Sequence, residues 1–234
     1  MTLAAPGTPG AARWSLLFGN FAVGCGVMVV VGTLNDLGRS LKVSVAVAGQ
    51  LVAVAAVVLA LGAPLLAAVV AGVDRRRLLT LSLLWFGIGH ALSALMPSYS
   101  ALLPVRVLSV LGAAVFTPQA AAAVSFMAPP EQRGRAITFI FLGWSVASVL
   151  GMPASAWVGE VFGWRWAFVG VGLLAIGGAA WVWRTVPDGV RPERWGRRRP
   201  RSAACSCGSA PSAWPAMCWS RATSTGWARR ARWR

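Results

Sequence analysis

Six apolar stretches, each about as long as a bilayer is thick, leave this chain little room for a fold that water would surround. A helix needs about 20 apolar residues to cross a hydrocarbon core of about 30 Å. Backbone groups in lipid must be hydrogen-bonded internally, which favours uninterrupted helices. The stretches run approximately from Trp14 to Thr33, Val45 to Gly72, Leu78 to Pro97, Ala101 to Ala128, Ala136 to Val158 and Trp166 to Trp183. The second and fourth exceed the minimum, so tilt or extension beyond the hydrocarbon is expected. Hydrophobic residues make up 57% of the chain and charged residues 12%, against about 25% charged in a soluble domain. Too few polar side chains remain to cover a water-facing surface. The predicted fold is all-α: a polytopic transmembrane bundle of six spans with short connections and a disordered basic C-terminal tail. The bundle occupies 14–187, a short cytoplasmic segment 1–13, and the tail 188–234. The first apolar run is longer than the core of a signal peptide and is followed by further spans, so no cleavable leader is expected.

Orientation follows from the basic residues of the loops. Arg13, Arg75, Arg76, Arg77, Arg133, Arg135 and Arg184 fall on one side, while Arg39, Lys42 and Arg165 fall on the other. The richer side is expected to be cytoplasmic. An even number of spans then puts both termini in the cytoplasm of a multi-pass cell-membrane protein.

The net charge of +16 suggests nucleic acid only until it is located, because half of the 22 basic residues lie after Val190. From Arg191 to Arg234 there is no Leu, Ile, Val, Phe or Tyr, yet there are five tryptophans and eleven arginines. Such a segment cannot bury an apolar core and is expected to be disordered in water. The preferred reading is an out-of-frame translation of a GC-rich gene that replaced a second half of the protein. A tail that attracts anionic lipid, at about 1 kcal/mol per arginine near the surface, is the competing reading. No nucleic-acid-binding module is recognisable, and nucleic acid is not an expected partner. Cys25, Cys205, Cys207 and Cys218 lack the paired spacing of a thiolate zinc site. With no phosphate loop, hydrolase elbow or metal cluster in the sequence, neither a cofactor nor an enzyme activity is expected.

Within the fifth stretch, Gly143, Ala147, Gly151, Ser155 and Gly159 recur every four residues. Small residues at that spacing let two helix backbones approach closely in lipid. Pro153 lies inside the strip and is expected to kink or loosen the helix. The strip is either a static packing seam or an interface that rocks during transport.

These residues together resemble the N-terminal half of a major facilitator superfamily transporter, of the bacterial drug and sugar efflux, proton-antiporter type. GQLVAVAAVVLALGAPLLAAVVAGVDRRRLL is similar to the second helix and following loop of those permeases. LLPVRVLSVLGAAVFTPQAAAAVSFMAPPEQRGRA resembles their fourth helix and its cytoplasmic loop, and FLGWSVASVLGMP with FGWRWAF resembles the fifth helix and the start of the sixth. In the loop, Asp74, Arg75, Arg76 and Arg77 match the charged part of the family's motif, whereas Val70 stands where a glycine is usual and Gly72 is displaced by two. The resemblance implies that Asp74 helps to gate the cytoplasmic side by contacting helix ends. An aspartate at a helix N-terminus is favoured by the dipole in any case.

Arg106 matches the family's fourth-helix arginine, whose role the resemblance ties to proton coupling. Intramembrane charges are functional candidates in their own right, although an arginine this shallow could also snorkel to the outer headgroups. Asp36, just beyond the first span, is the expected acidic partner of Arg106 at the outer mouth of a cavity. His90 reads as a hydrogen-bonded packing residue, or as one that takes a proton near neutral pH. Asn20 and Gln119 are weaker polar cavity candidates, while Glu160 and Arg165 are expected in solvent. The implied function is proton-coupled efflux of a small organic solute, here by a truncated half that does not transport alone. The alternatives are a homodimer that rebuilds a two-half transporter, with the strip on the fifth helix at or near the contact, and a six-helix membrane scaffold.

Overall fold

The structure, a computed structural model, describes residues 9–187 apart from residue 71. The tail at 188–234, with its expected disorder, and most of the segment 1–13 lie outside the described residues. Seven α-helices and one 3-10 turn account for nearly all of the described chain. They are α1 (Pro9–Gly32), α2 (Leu34–Leu41), α3 (Val45–Val69), α4 (Arg75–Ala94), α5 (Tyr99–Met127), η1 (Pro130–Gln132), α6 (Arg133–Phe162) and α7 (Trp164–Thr185). All except α2 and η1 are long and apolar enough to cross a bilayer. They coincide with the six stretches; five of the helices run a few residues past their apolar limits at one end or both, while α3 starts with its stretch at Val45 and ends at Val69, short of Gly72. Hydrogen-bonded turns continue beyond the last apolar residue because open backbone near lipid is expensive.

The helix α2 was not expected. Its sequence, LNDLGRSL, is too short and too polar to cross a membrane, yet Leu37 is fully buried and Leu34 and Leu41 pack against the core. It lies at the far end of α1 as an amphipathic turn of chain. Lys42 terminates it in a left-handed conformation (φ 55°), with the Val43 amide donating back to the Gly38 carbonyl at 3.0 Å, a closure of the kind helix C-termini commonly adopt. Capping side chains set the starts of two spans. Ser44 accepts from the Val47 amide at 3.3 Å, and Asp74 accepts from the Arg76 amide at 3.0 Å.

The helix α1 lies at the centre of the bundle and packs along α6 and α7, with α3, α4 and α5 also in contact. The core is formed by Leu16, Leu79, Leu83, Phe86, Phe116 and Phe168, all without measurable exposure. Only 22% of the most apolar stretch of α3 and 28% of that of α6 are buried, against at least 44% for the other spans. These two helices therefore carry the largest uncovered apolar faces, among them Leu61, Leu65 and Val69 on α3 and Val149 and Leu150 on α6.

The strip on α6 has a defined partner within the chain. Gly143, Ala147, Gly151, Ser155 and Gly159 are all buried, and they face α1. A Cβ on Gly143 would collide with the Leu17 carbonyl oxygen. One on Gly24 of α1 would lie 2.6 Å from the Ala147 Cβ. The close approach thus depends on small residues from both helices. Pro153 sits off this face, exposed, and α6 continues unbroken through it. Its ring removes one backbone bond, to the Val149 carbonyl, while the turns on either side keep theirs.

Candidate functional site

A deeply buried polar cluster is built on α4 and α5. Arg106 lies seven residues into α5, about 10 Å along its axis at 1.5 Å per residue. It is 2% exposed, so it does not snorkel to the headgroups. Its guanidinium turns inward instead. Nη2 donates to the Gly26 carbonyl of α1 at 2.6 Å, and Nη1 donates to Nε2 of His90 on α4. A guanidinium has donors only, so this contact uses the Nε2 lone pair, and the remaining Nδ1–H of His90 then donates to the Phe86 carbonyl at 2.9 Å. Phe168 of α7 lies under the charge at 5.8 Å from its ring centroid, and the Phe86 ring packs tilted against His90 at 4.2 Å between centroids. The Arg106 Nε has no hydrogen-bond partner. Four spans thus converge on one cation, and no carboxylate among the described residues is hydrogen-bonded to it.

Asp36 has a different partner. Its Oδ2 accepts from the Trp164 amide at 2.6 Å, so α2 caps the first turn of α7. That amide is one of the unpaired donors every helix N-terminus carries, and Gly163 (φ 91°) makes the tight turn that presents it. Arg106 and Asp36, expected as a pair, are thus held by separate partners.

A second polar contact lies on α1. Asn20 donates through Nδ2 to the Ile140 carbonyl of α6 at 3.2 Å and accepts from the Thr117 hydroxyl of α5 at 3.1 Å. Gln119 is buried on α5 and its Oε1 has no partner. At the arginine-rich end, Asp74 caps α4. Arg76 lies over Trp183 at 4.3 Å from its centroid, the buried Arg75 lies over Phe126 at 6.0 Å, and Arg77 is exposed. These aromatic faces pack against the two guanidinium groups. Glu160 and Arg165 are exposed, as expected.

His90, Gly26, Phe86 and Phe168 are the residues of the Arg106 cluster that sequence reasoning did not place there. A usable signal existed for His90, since two polar side chains in spans joined by a short turn must find partners in lipid.

Six helices long and apolar enough to cross a bilayer, packed around a buried cation with no hydrogen-bonded carboxylate among the described residues, define a multi-pass α-helical membrane protein. The Major Facilitator Superfamily profile matches residues 16–229, and the chain belongs to that family. The matched interval runs past Val190 into the tail. Inner membrane transport protein YdhP of Escherichia coli (strain K12) is 30% identical over 182 residues, covering 76% of this chain and 47% of that protein. The chloramphenicol resistance protein of Streptomyces lividans is 32% identical over 168 residues, covering 72% of this chain and 43% of that protein. The proton:xylose symporter XylE, bound to 6-bromo-6-deoxy-D-glucose, superposes with a TM-score of 0.68 at 18% identity, over 77% of this chain and 45% of that one. At that identity the likeness concerns the fold. The chain spans about half the length, or less, of the curated relatives it matches.

Proposed function

We propose that this chain is the N-terminal half of an efflux permease that exchanges a small organic solute for protons by alternating access. The arginine-rich end and both termini face the cytoplasm of the cell membrane. Arg106 is the coupling residue in this reading. The observation that carries it is the buried guanidinium itself: desolvating a cation is expensive, and here no carboxylate is hydrogen-bonded to it. A charge kept under those conditions is a functional candidate. His90 and the Gly26 carbonyl hold the guanidinium in place, and Asp36 acts by fixing α7 rather than by pairing. Asp74 and the arginines that follow it form the gate at the cytoplasmic end.

Substrate in this family is held between two six-helix halves near the midplane, so half a cavity does not transport. Its uncovered faces on α3 and α6 are where a second half would seat. A homodimer would have to use those faces, because the strip on α6 is already filled by α1. The tail is proposed to be out of frame, and apolar, span-like sequence in another frame after codon 190 is the expected finding. The function is tested by reconstituting the purified chain in vesicles with an internal pH dye and an imposed solute gradient. No proton movement is expected from the chain alone, and movement is expected when a second half is co-expressed. Proton-coupled flux by the monomer would overturn the inactive-half reading, and absence of flux with a second half would overturn the transporter reading.

A further inference from the structure

At the arginine-rich end, the first turns of α1 and α6 enclose a hollow of about 430 Å³ lined by Gly10, Arg13, Trp14, Gln132, Arg135 and Phe139. Two guanidinium groups face the same space. The Arg13 Nε is buried without a hydrogen-bond partner, and the Gln132 side chain, at the N-cap of α6, makes no capping bond. Like charges sharing a cavity repel unless an anion lies between them, and the partial positive charge of two helix N-termini adds to the same potential. One wall is aromatic, with Trp14 standing edge-on to Phe139 at 5.0 Å between centroids. Trp14 is 56% exposed, in the position that tryptophan takes at a headgroup boundary. Arg135 and Phe139 also line a neighbouring hollow of about 400 Å³, which continues along α6 past Thr138 and Leu142.

We infer that this cleft binds the phosphodiester headgroup of an anionic phospholipid between Arg13 and Arg135, with the acyl chain descending past Phe139 and Leu142. The cation pair selects phosphate, and the second hollow selects lipid over a free anion by giving the hydrocarbon a path. Basic pockets between spans at a membrane surface are suited to such headgroups. The proposal relies on the membrane-spanning fold and not on transport.

The test is thermal unfolding of the full chain in detergent micelles doped with either phosphatidylglycerol or phosphatidylcholine. The wild type is expected to show a higher midpoint with phosphatidylglycerol. The Arg13→Gln, Arg135→Gln double variant should lose at least about half of that increment. An Arg184→Gln variant and an Arg229→Gln, Arg230→Gln variant should keep it, which separates the cleft from general basicity. A double variant that keeps the full increment would overturn the site. The same increment produced by millimolar inorganic phosphate or glycerol 3-phosphate would overturn the lipid assignment in favour of a free anion. If the double variant also unfolds earlier in phosphatidylcholine, the exposed Arg135→Gln alone is read by native mass spectrometry. One fewer retained phosphatidylglycerol than wild type supports the site, and an equal number overturns it.

Discussion

The guanidinium of Arg106 and the imidazole of His90 meet across α4 and α5, donor to lone pair, with the Gly26 carbonyl of α1 taking the second donor. Nothing in this contact needs a carboxylate. It relies on His90 presenting Nε2 as an acceptor, which it does because Nδ1–H is engaged by the Phe86 carbonyl one turn earlier on the same helix.

Replacing His90 therefore tests the arrangement from its neutral side. His90→Leu leaves the Arg106 Nη1 buried without an acceptor, which costs about 1–3 kcal/mol for a neutral group and more for a charged one. A loss of at least about 2 kcal/mol in reversible unfolding from detergent is expected. His90→Gln, which restores an amide oxygen, should recover part of it. Equal losses for both variants would show that packing, not the acceptor, is what His90 supplies.

The Asp36 carboxylate is tied to α7, and its variants separate capping from ion pairing. Asp36→Ala should cost about 0.5–2 kcal/mol as a lost N-cap interaction. Asp36→Asn keeps an acceptor for the Trp164 amide and should cost much less. In a double-mutant cycle with Arg106→Gln the two effects should add within about 0.5 kcal/mol, as they do for sites without shared partners. A larger coupling energy would mean that the two residues do pair.

Much of this fold was legible because lipid imposes a length rule: six apolar runs of about 20 residues gave six helices. The helix α2 escaped that rule because eight mixed residues carry no span signal, and its helicity depends on Leu37 finding a pocket that only the assembled bundle provides. For Arg106 its place within a span was legible from the residues, but its partners were not. Asp36 was expected on charge alone, whereas backbone donors at a helix start compete for the same carboxylate and here hold it. The small-residue strip was legible as a contact surface on α6. Which helix it meets depends on the order of packing, which spacing along one helix does not encode.

That strip gives a chemical test of its own. A Cβ on Gly151 would lie 3.4 Å from the Cys25 Sγ, within reach of a disulfide after a small rotation. Oxidation of Gly151→Cys is expected to join residues 25 and 151 within one chain, identified by peptide mass mapping. A bond between residues 25 and 151 of two different chains would place the strip at a dimer contact instead.

Arg106 itself should be the more dispensable partner for stability, although it carries the charge. A buried cation that no carboxylate offsets carries a desolvation cost of its own, so an apolar side chain of similar length in its place should cost little. Here the vacated imidazole has a local remedy, since His90 Nε2 already lies 3.3 Å from the Gly26 carbonyl. Moving the ring proton from Nδ1 to Nε2 would let it donate there, and the Phe86 carbonyl keeps its helical partner. Arg106→Met is therefore expected to unfold within about 1 kcal/mol of wild type or above it, while His90→Leu falls well below. Such an asymmetry would mean that the guanidinium is retained for something other than holding the bundle together, which is what a coupling role requires. The reverse order in the same denaturation series would make Arg106 a structural cross-link between α1, α4 and α5 and remove the main support for its place in transport.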